Sequence, residues 1–286
     1  MESGYYVPHK TYWPILGSFG LFCLAMGAGL LLHSDDYGWI VFLIGAFCMA
    51  YMLFGWFSEV AHENRSGRYN AQVDDSFRWG MIWFIFSEIM FFAAFFGALF
   101  YIRTYSVPWL AGGQVATHAV LWPHFQAAWP LFHNPNPQQF VGPKDIIAPW
   151  GIPTLNTFLL MSSAGAVTWS LAALKQNKRE QMVVGLMLTI VLGLVFVGCQ
   201  VHEYMLAYHE YGLKLSSGIY GTTFFMLTGF HGMHVVVGII MLTTILIRCL
   251  KGDFTPQDHF GFEACAWYWH FVDVVWMFLF VLVYIF

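Results

Sequence analysis

Charge is scarce in this chain. Only 10% of its 286 residues are Asp, Glu, Lys or Arg, whereas a soluble globular domain carries about 25%. Too few charged side chains remain to clothe a water-facing surface of that size, so an integral membrane protein is expected. The formal net charge is -4, with 12 histidines uncounted, which gives no basic surface for nucleic acid. Cysteine is sparse too. Cys23, Cys48, Cys199, Cys249 and Cys265 form no CxxC pair and lie in or beside apolar runs. They read as small apolar side chains rather than as a disulfide framework or zinc site. There is no CxxCH motif, no visible internal repeat and no period-two alternation of the kind a membrane barrel needs. The opening MESGYYVPHKTYWP has no basic segment leading directly into an apolar core, so no cleaved signal peptide is expected.

What the chain has is long apolar runs. A membrane helix needs about 20 mostly apolar residues. Seven candidates satisfy this, at approximately 15–33, 38–57, 79–102, 155–174, 182–203, 217–247 and 262–285. They predict an all-α membrane protein organised as one integral-membrane domain over residues 1–286. Lys and Arg accumulate in cytoplasmic loops. With the N-terminus inside, Lys10, Arg65, Arg68, Arg78, Lys175, Lys178, Arg179, Arg248 and Lys251 all lie inside, against Arg103, Lys144 and Lys214 outside. This asymmetry predicts N-in, C-out. Trp13, Trp56 and Trp79 fall near inner span ends and Trp39, Trp109 and Trp150 near outer ones, as an aromatic belt requires. The outer loop 104–153 holds eight of the 11 prolines and four tryptophans. It reads as an ordered, irregular cap that either touches a partner or covers its own helices.

Polar residues at depth carry the functional information. Glu88 lies about nine residues past the inner edge of the third span, roughly 13 Å deep and near the midplane. It is a candidate proton relay or polar anchor; the bland alternative is a neutral acid bonded inside the bundle. Ala93, Ala94, Gly97 and Ala98 on the same span suit close helix approach.

The last span begins with HFGFEACAWYWHFVDVVW. On a continuous helix His259, Glu263, His270 and Asp273 fall within an arc of roughly 80°, and His270 and Asp273 could pair. The sixth span contains FMLTGFHGMHVVVG, with His231 and His234 on one face. Two such histidines invite a haem or metal reading; the bland alternative is interhelical bonding to acids on neighbouring spans. His202 and Glu203, near the outer end of the fifth span, suit a solvated or capping role.

The passages RWGMIWFIFSEIMFFAAFF, SSGIYGTTFFMLTGFHGMHVVVG and HFGFEACAWYWHFVDVVW closely resemble subunit III of the haem–copper cytochrome c oxidases, in its bacterial form, and the likeness extends over essentially the whole chain. The resemblance implies a non-catalytic subunit of a proton-pumping oxidase in the bacterial inner membrane. It implies no haem or copper bound by this chain, contact mainly with subunit I, and redox centres held by subunits I and II. Cytochrome c would be the electron donor of the complex without binding this chain. It also implies that the first two helices splay from the other five, leaving a V-shaped cleft filled by phospholipid that could also conduct oxygen. Glu88 corresponds to the family's buried acid near subunit I, linked to proton uptake. By position, Trp56, His62, Glu63 and Arg248 would bind lipid headgroups. For Arg248, positive-inside bias is an equal explanation. From their own positions on the spans, His231, His234, Glu263, His270 and Asp273 are expected to form an intramembrane polar network. Asn70-Ala71 stands where many relatives have His-Thr, which puts a headgroup contact there in question.

Two other readings compete. Quinol oxidase subunits III are typically five-helix proteins, so the two N-terminal spans favour the cytochrome c type. A stand-alone proton-coupled transporter using Glu88 and Asp273 would be expected to show inverted repeats or broken helices, and neither is visible in the sequence.

Overall fold

A computed structural model describes residues 6–7 and 11–286; Lys10, one of the basic residues used for orientation, lies outside the described residues. Among those residues the regular secondary structure is all helical, without strands. The long helices are α1 (Trp13–Leu32), α2 (Gly38–Arg65), α3 (Ala71–Tyr101), α5 (Ile152–Lys175), α6 (Arg179–His209), α7 (Ile219–Lys251) and α8 (Phe260–Leu279), with a short α4 (Val115–Leu121) between α3 and α5. π-helical turns follow α3 at Ile102–Ser106 and Trp109–Gly113, and follow α8 at Phe280–Ile285. Among the described residues, seven helical segments are long and apolar enough to cross a membrane. They match the seven expected runs, with α2, α3 and α6 each extending several residues further than the apolar run alone. Hydrogen bonding along the backbone continues into polar sequence, so helix ends outrun hydropathy.

The chain divides into two compact units, residues 1–79 and 80–286. In the first, α1 and α2 form a hairpin whose backbones touch. A Cβ on Gly45 would lie 2.6 Å from the Leu24 nitrogen and 2.8 Å from the Gly20 carbonyl oxygen. Only glycine permits that approach. The Trp13 indole N–H donates to Glu59 Oε2 at 2.5 Å, which ties the start of α1 to the far end of α2.

In the second unit, α5 packs on α6 and α8, and α7 packs on the same two helices, giving a closed ring of four. Trp269 of α8 is its centrepiece. The indole is fully buried, and a Cβ on Gly193 of α6 or on Gly238 of α7 would come within 2.9 Å of it. Its N–H donates to Ser163 Oγ on α5 at 2.9 Å. One residue thus couples all four helices. Beyond Gly80, α3 lies against this ring through Phe92, whose ring centroid is 6.1 Å from that of Phe271, and Phe84, 6.2 Å from Tyr268.

The Pro- and Trp-rich segment covers its own helices. Phe125 and Leu131 are buried in the core. Asn134 Nδ2 donates to the carbonyls of Phe140 and Ser217, each at 3.0 Å. The Lys144 N–H donates to the Tyr211 carbonyl at 2.8 Å. Arg103 lies over the Trp129 ring, 5.5 Å from its centroid. The carbonyls of Phe140, Ser217 and Tyr211 and the Lys144 N–H thus have fixed partners in this irregular region.

Candidate functional site

Glu88, expected near the bilayer midplane, has a partner. Glu88 Oε2 lies 2.8 Å from His234 Nε2, with 22% of the acid side chain and 8% of the imidazole exposed. The other ring nitrogen, Nδ1, is 2.7 Å from the Phe230 carbonyl, one turn earlier on α7. A carbonyl can only accept, so Nδ1 carries a hydrogen. The Glu88–His234 contact then holds a single proton, whichever atom bears it. Aromatic rings flank the imidazole: the Phe92 and Phe91 centroids lie 5.1 and 6.1 Å from that of His234, and Phe271 lies 6.2 Å away. Apolar neighbours on the histidine side strengthen such a bond relative to water.

The remaining polar residues of the bundle form separate contacts instead of one network. His231 is 1% exposed and its Nε2 lies 3.2 Å from the Val272 carbonyl. Glu263 stands 3.9 Å from Lys175, joining the start of α8 to the end of α5. His270 Nε2 is 3.1 Å from Thr168 Oγ1 on α5. Its Nδ1 is 3.7 Å from Asp273 Oδ2, too long for a hydrogen bond. His259 caps α8 from outside the helix, with φ -147°, so it does not continue the stripe expected of an unbroken helix. Its carbonyl accepts the N–H groups of Phe262 and Glu263. No three His, Cys, Asp or Glu side chains gather as a metal site among the described residues.

Glu203 departs from the sequence expectation. It is 1% exposed, and the Tyr284 hydroxyl donates to its Oε1 at 2.5 Å. His202, the preceding residue, is exposed. The π-helical turn after α8 carries Tyr284 to this acid, and no periodicity in the sequence signals such a contact. The small-residue face of α3 is likewise not packed within the chain. Ala93, Ala94, Gly97 and Ala98 are exposed, and a Cβ on Gly97 would meet open space.

The candidate lipid residues occur in both units. In the first, Trp56 and His62 are exposed near the end of α2. Glu63 is 8% exposed and accepts the Tyr6 and Tyr69 hydroxyls at 2.5 and 2.8 Å. Burial, followed by the bond to Glu63 and that acid's charge, raises the Tyr69 pKa well above its usual value. The Asn70 backbone carbonyl and side-chain Oδ1 both accept the Val73 N–H at the start of α3. In the second unit, Arg248 Nε donates to Asp253 Oδ2 at 3.1 Å, and the guanidinium lies 4.5 Å from the Phe254 centroid.

The family model described as cytochrome c oxidase subunit III matches residues 3–286. Among similar proteins, cytochrome c oxidase subunit 3 of Chondrus crispus is 42% identical over 275 residues, covering 95% of this chain and 90% of that protein. The subunit 3 of Triticum aestivum is 38% identical over 286 residues, covering 99% and 96%. That of Dugong dugon is 37% identical over 281 residues, covering 98% and 96%. A chain matched by this family model over residues 3–286, with these relatives aligned over at least 95% of its length, belongs to the cytochrome c oxidase subunit III family.

Proposed function

We propose that this chain, a subunit of cytochrome c oxidase without a redox centre of its own, sustains proton uptake and stability in the catalytic subunit through Glu88 and His234. The observation that carries the reading is the single-proton contact between these residues, with the imidazole flanked by phenylalanine rings. An acid held by an imidazole in this way is satisfied without a bound cofactor, and an acid inside a membrane span is a functional candidate by default. The exposed small-residue face of α3 supports contact with subunit I, since such faces admit a neighbouring helix closely. Subunit II would complete the redox core and receive electrons from cytochrome c. Together the two units of this chain would act as one integral-membrane domain.

Phospholipid binding belongs to the same proposal. Exposed Trp56 and His62 suit an interfacial headgroup, and the Arg248 guanidinium suits phosphate. Glu63 would act indirectly, by holding Tyr6 and Tyr69. The splayed first helices, the lipid-filled cleft and an oxygen route rest on the family resemblance. An N-in, C-out orientation in a bacterial inner membrane rests on the basic-residue asymmetry and on the same resemblance; the relatives compared above are eukaryotic.

The test is purification of the complex through a tag on this chain. Two larger subunits carrying haem and copper should co-purify, and the isolated chain should show no Soret band. A Soret band from the isolated chain, or purification as a lone transporter, would overturn the assignment.

A further inference from the structure

The outer loop between α3 and α5 contains a cavity that shares no residue with the Glu88–His234 pair. Its volume is about 460 Å³, and Pro108, His118, Pro123, His124, Phe125 and Gln126 are among the residues that line it. Two imidazoles and one carboxamide thus border one hollow. None of the described residues in its lining is charged.

Two anchored pieces of backbone bring these side chains together. His118 lies inside α4: its N–H donates to the Gln114 carbonyl at 3.0 Å, and its own carbonyl accepts the Trp122 N–H at 3.2 Å. His124 and Gln126 flank Phe125, which is buried and whose N–H donates to the Trp122 carbonyl at 3.1 Å. Burial of that phenyl ring pins the turn carrying both polar side chains. The His118 ring is oriented as well. Its Nδ1 lies 3.3 Å from the Leu110 carbonyl. A carbonyl can only accept, so Nδ1 is the donor, and in the neutral ring Nε2 keeps its lone pair. Histidines that bind metal are held in this way, one ring N–H on a backbone carbonyl and the other nitrogen left for the ion.

We propose that His118 and His124 bind a divalent transition-metal ion of the zinc type in this cavity. Imidazole suits such ions, whereas calcium and magnesium prefer carboxylate oxygens, which this lining does not offer. An anion would find no fixed positive charge there. Zinc takes four ligands; the Gln126 carboxamide oxygen and water complete the set, and the hollow has room for that water. The fixed backbone on both sides lowers the ordering cost of binding. The ion would clip α4 to residues 123–127 and stiffen the outer cap. Zinc has no redox chemistry, so the site is separate from electron transfer and from Glu88.

Zinc retention by the oxidase complex, purified through this chain, tests the assignment. The complex is stripped with a chelator, equilibrated with zinc chloride and desalted, and its zinc content is measured by elemental mass spectrometry. Zinc bound elsewhere is common to all samples. The wild type should retain one zinc ion more than the His118→Ala, His124→Ala double variant. An anomalous difference map of the zinc-soaked wild-type complex should show a peak between the two rings, and this second measurement stands even if the double variant does not assemble. Equal zinc in the wild type and the double variant, no anomalous peak at the cavity, or a peak on one imidazole alone would overturn the proposal.

Discussion

Replacing Glu88 by Gln leaves a side-chain N–H that can donate to His234 Nε2, since Nδ1 already donates to Phe230. The Glu88→Gln complex should therefore assemble at normal yield. Glu88→Ala should lower the stability of the subunit by about 1–3 kcal/mol, because it orphans a buried ring nitrogen; thermal unfolding of the two variants compares these outcomes. Equal loss in both would show that the carboxyl itself is structurally required. Tyr69 supplies a second test at this scale. Its pKa is raised in the folded protein by burial and by the Glu63 carboxylate. A raised phenol pKa gives stability that is fully present below the unfolded value, about 10, and is lost as pH rises through the folded value. Alkaline titration followed by tyrosinate absorbance should show a late-titrating tyrosine that disappears in Tyr69→Phe.

Among the helices, the decisive contacts are made by glycine and tryptophan. Trp269 fits because Gly193 and Gly238 have no side chains. Gly238→Ala would place a methyl group 2.8 Å from the indole, and such overpacking costs about 1–3 kcal/mol. Trp269→Phe would relieve the crowding but remove the donor to Ser163. Combining it with Gly238→Ala should be less damaging than the sum of the two changes, as a double-mutant cycle on thermal unfolding can measure. The existence of these helices was legible from hydropathy, and their approximate ends from Pro and charged residues. Which faces meet was not. Gly97, a candidate for close approach, has open space around it, whereas Gly45, inside an ordinary apolar run, touches backbone. A small residue permits contact from any direction, and only the arrangement of its neighbours selects one.

For the molecule as a whole, lipid retention is the sharpest test. Arg248 sits over Phe254 and bonds to Asp253, so it already has a structural role. If it also holds a phosphate, Arg248→Ala should yield a complex that carries less phospholipid after detergent purification, measured by lipid mass spectrometry, with smaller loss in Arg248→Lys. Unchanged lipid content would leave Arg248 only its local contacts. The same distinction applies to Glu63, which sequence position grouped with headgroup residues and which the fold surrounds with two phenols.

Composition by itself determined the solvent, because 10% charged residues cannot cover a soluble protein of 286 residues. Run length determined seven crossings, since the bilayer sets helix length, and motif likeness reached the family. The three-dimensional arrangement alone decided the partners. It joined Glu88 to His234 across 146 positions of sequence, sent His231 to a backbone carbonyl, and buried Glu203 at a span end where hydropathy placed it near water. Helical periodicity assigns a residue to a face, but hydrogen bonding depends on which atoms from distant segments arrive within about 3 Å, and that is a property of packing.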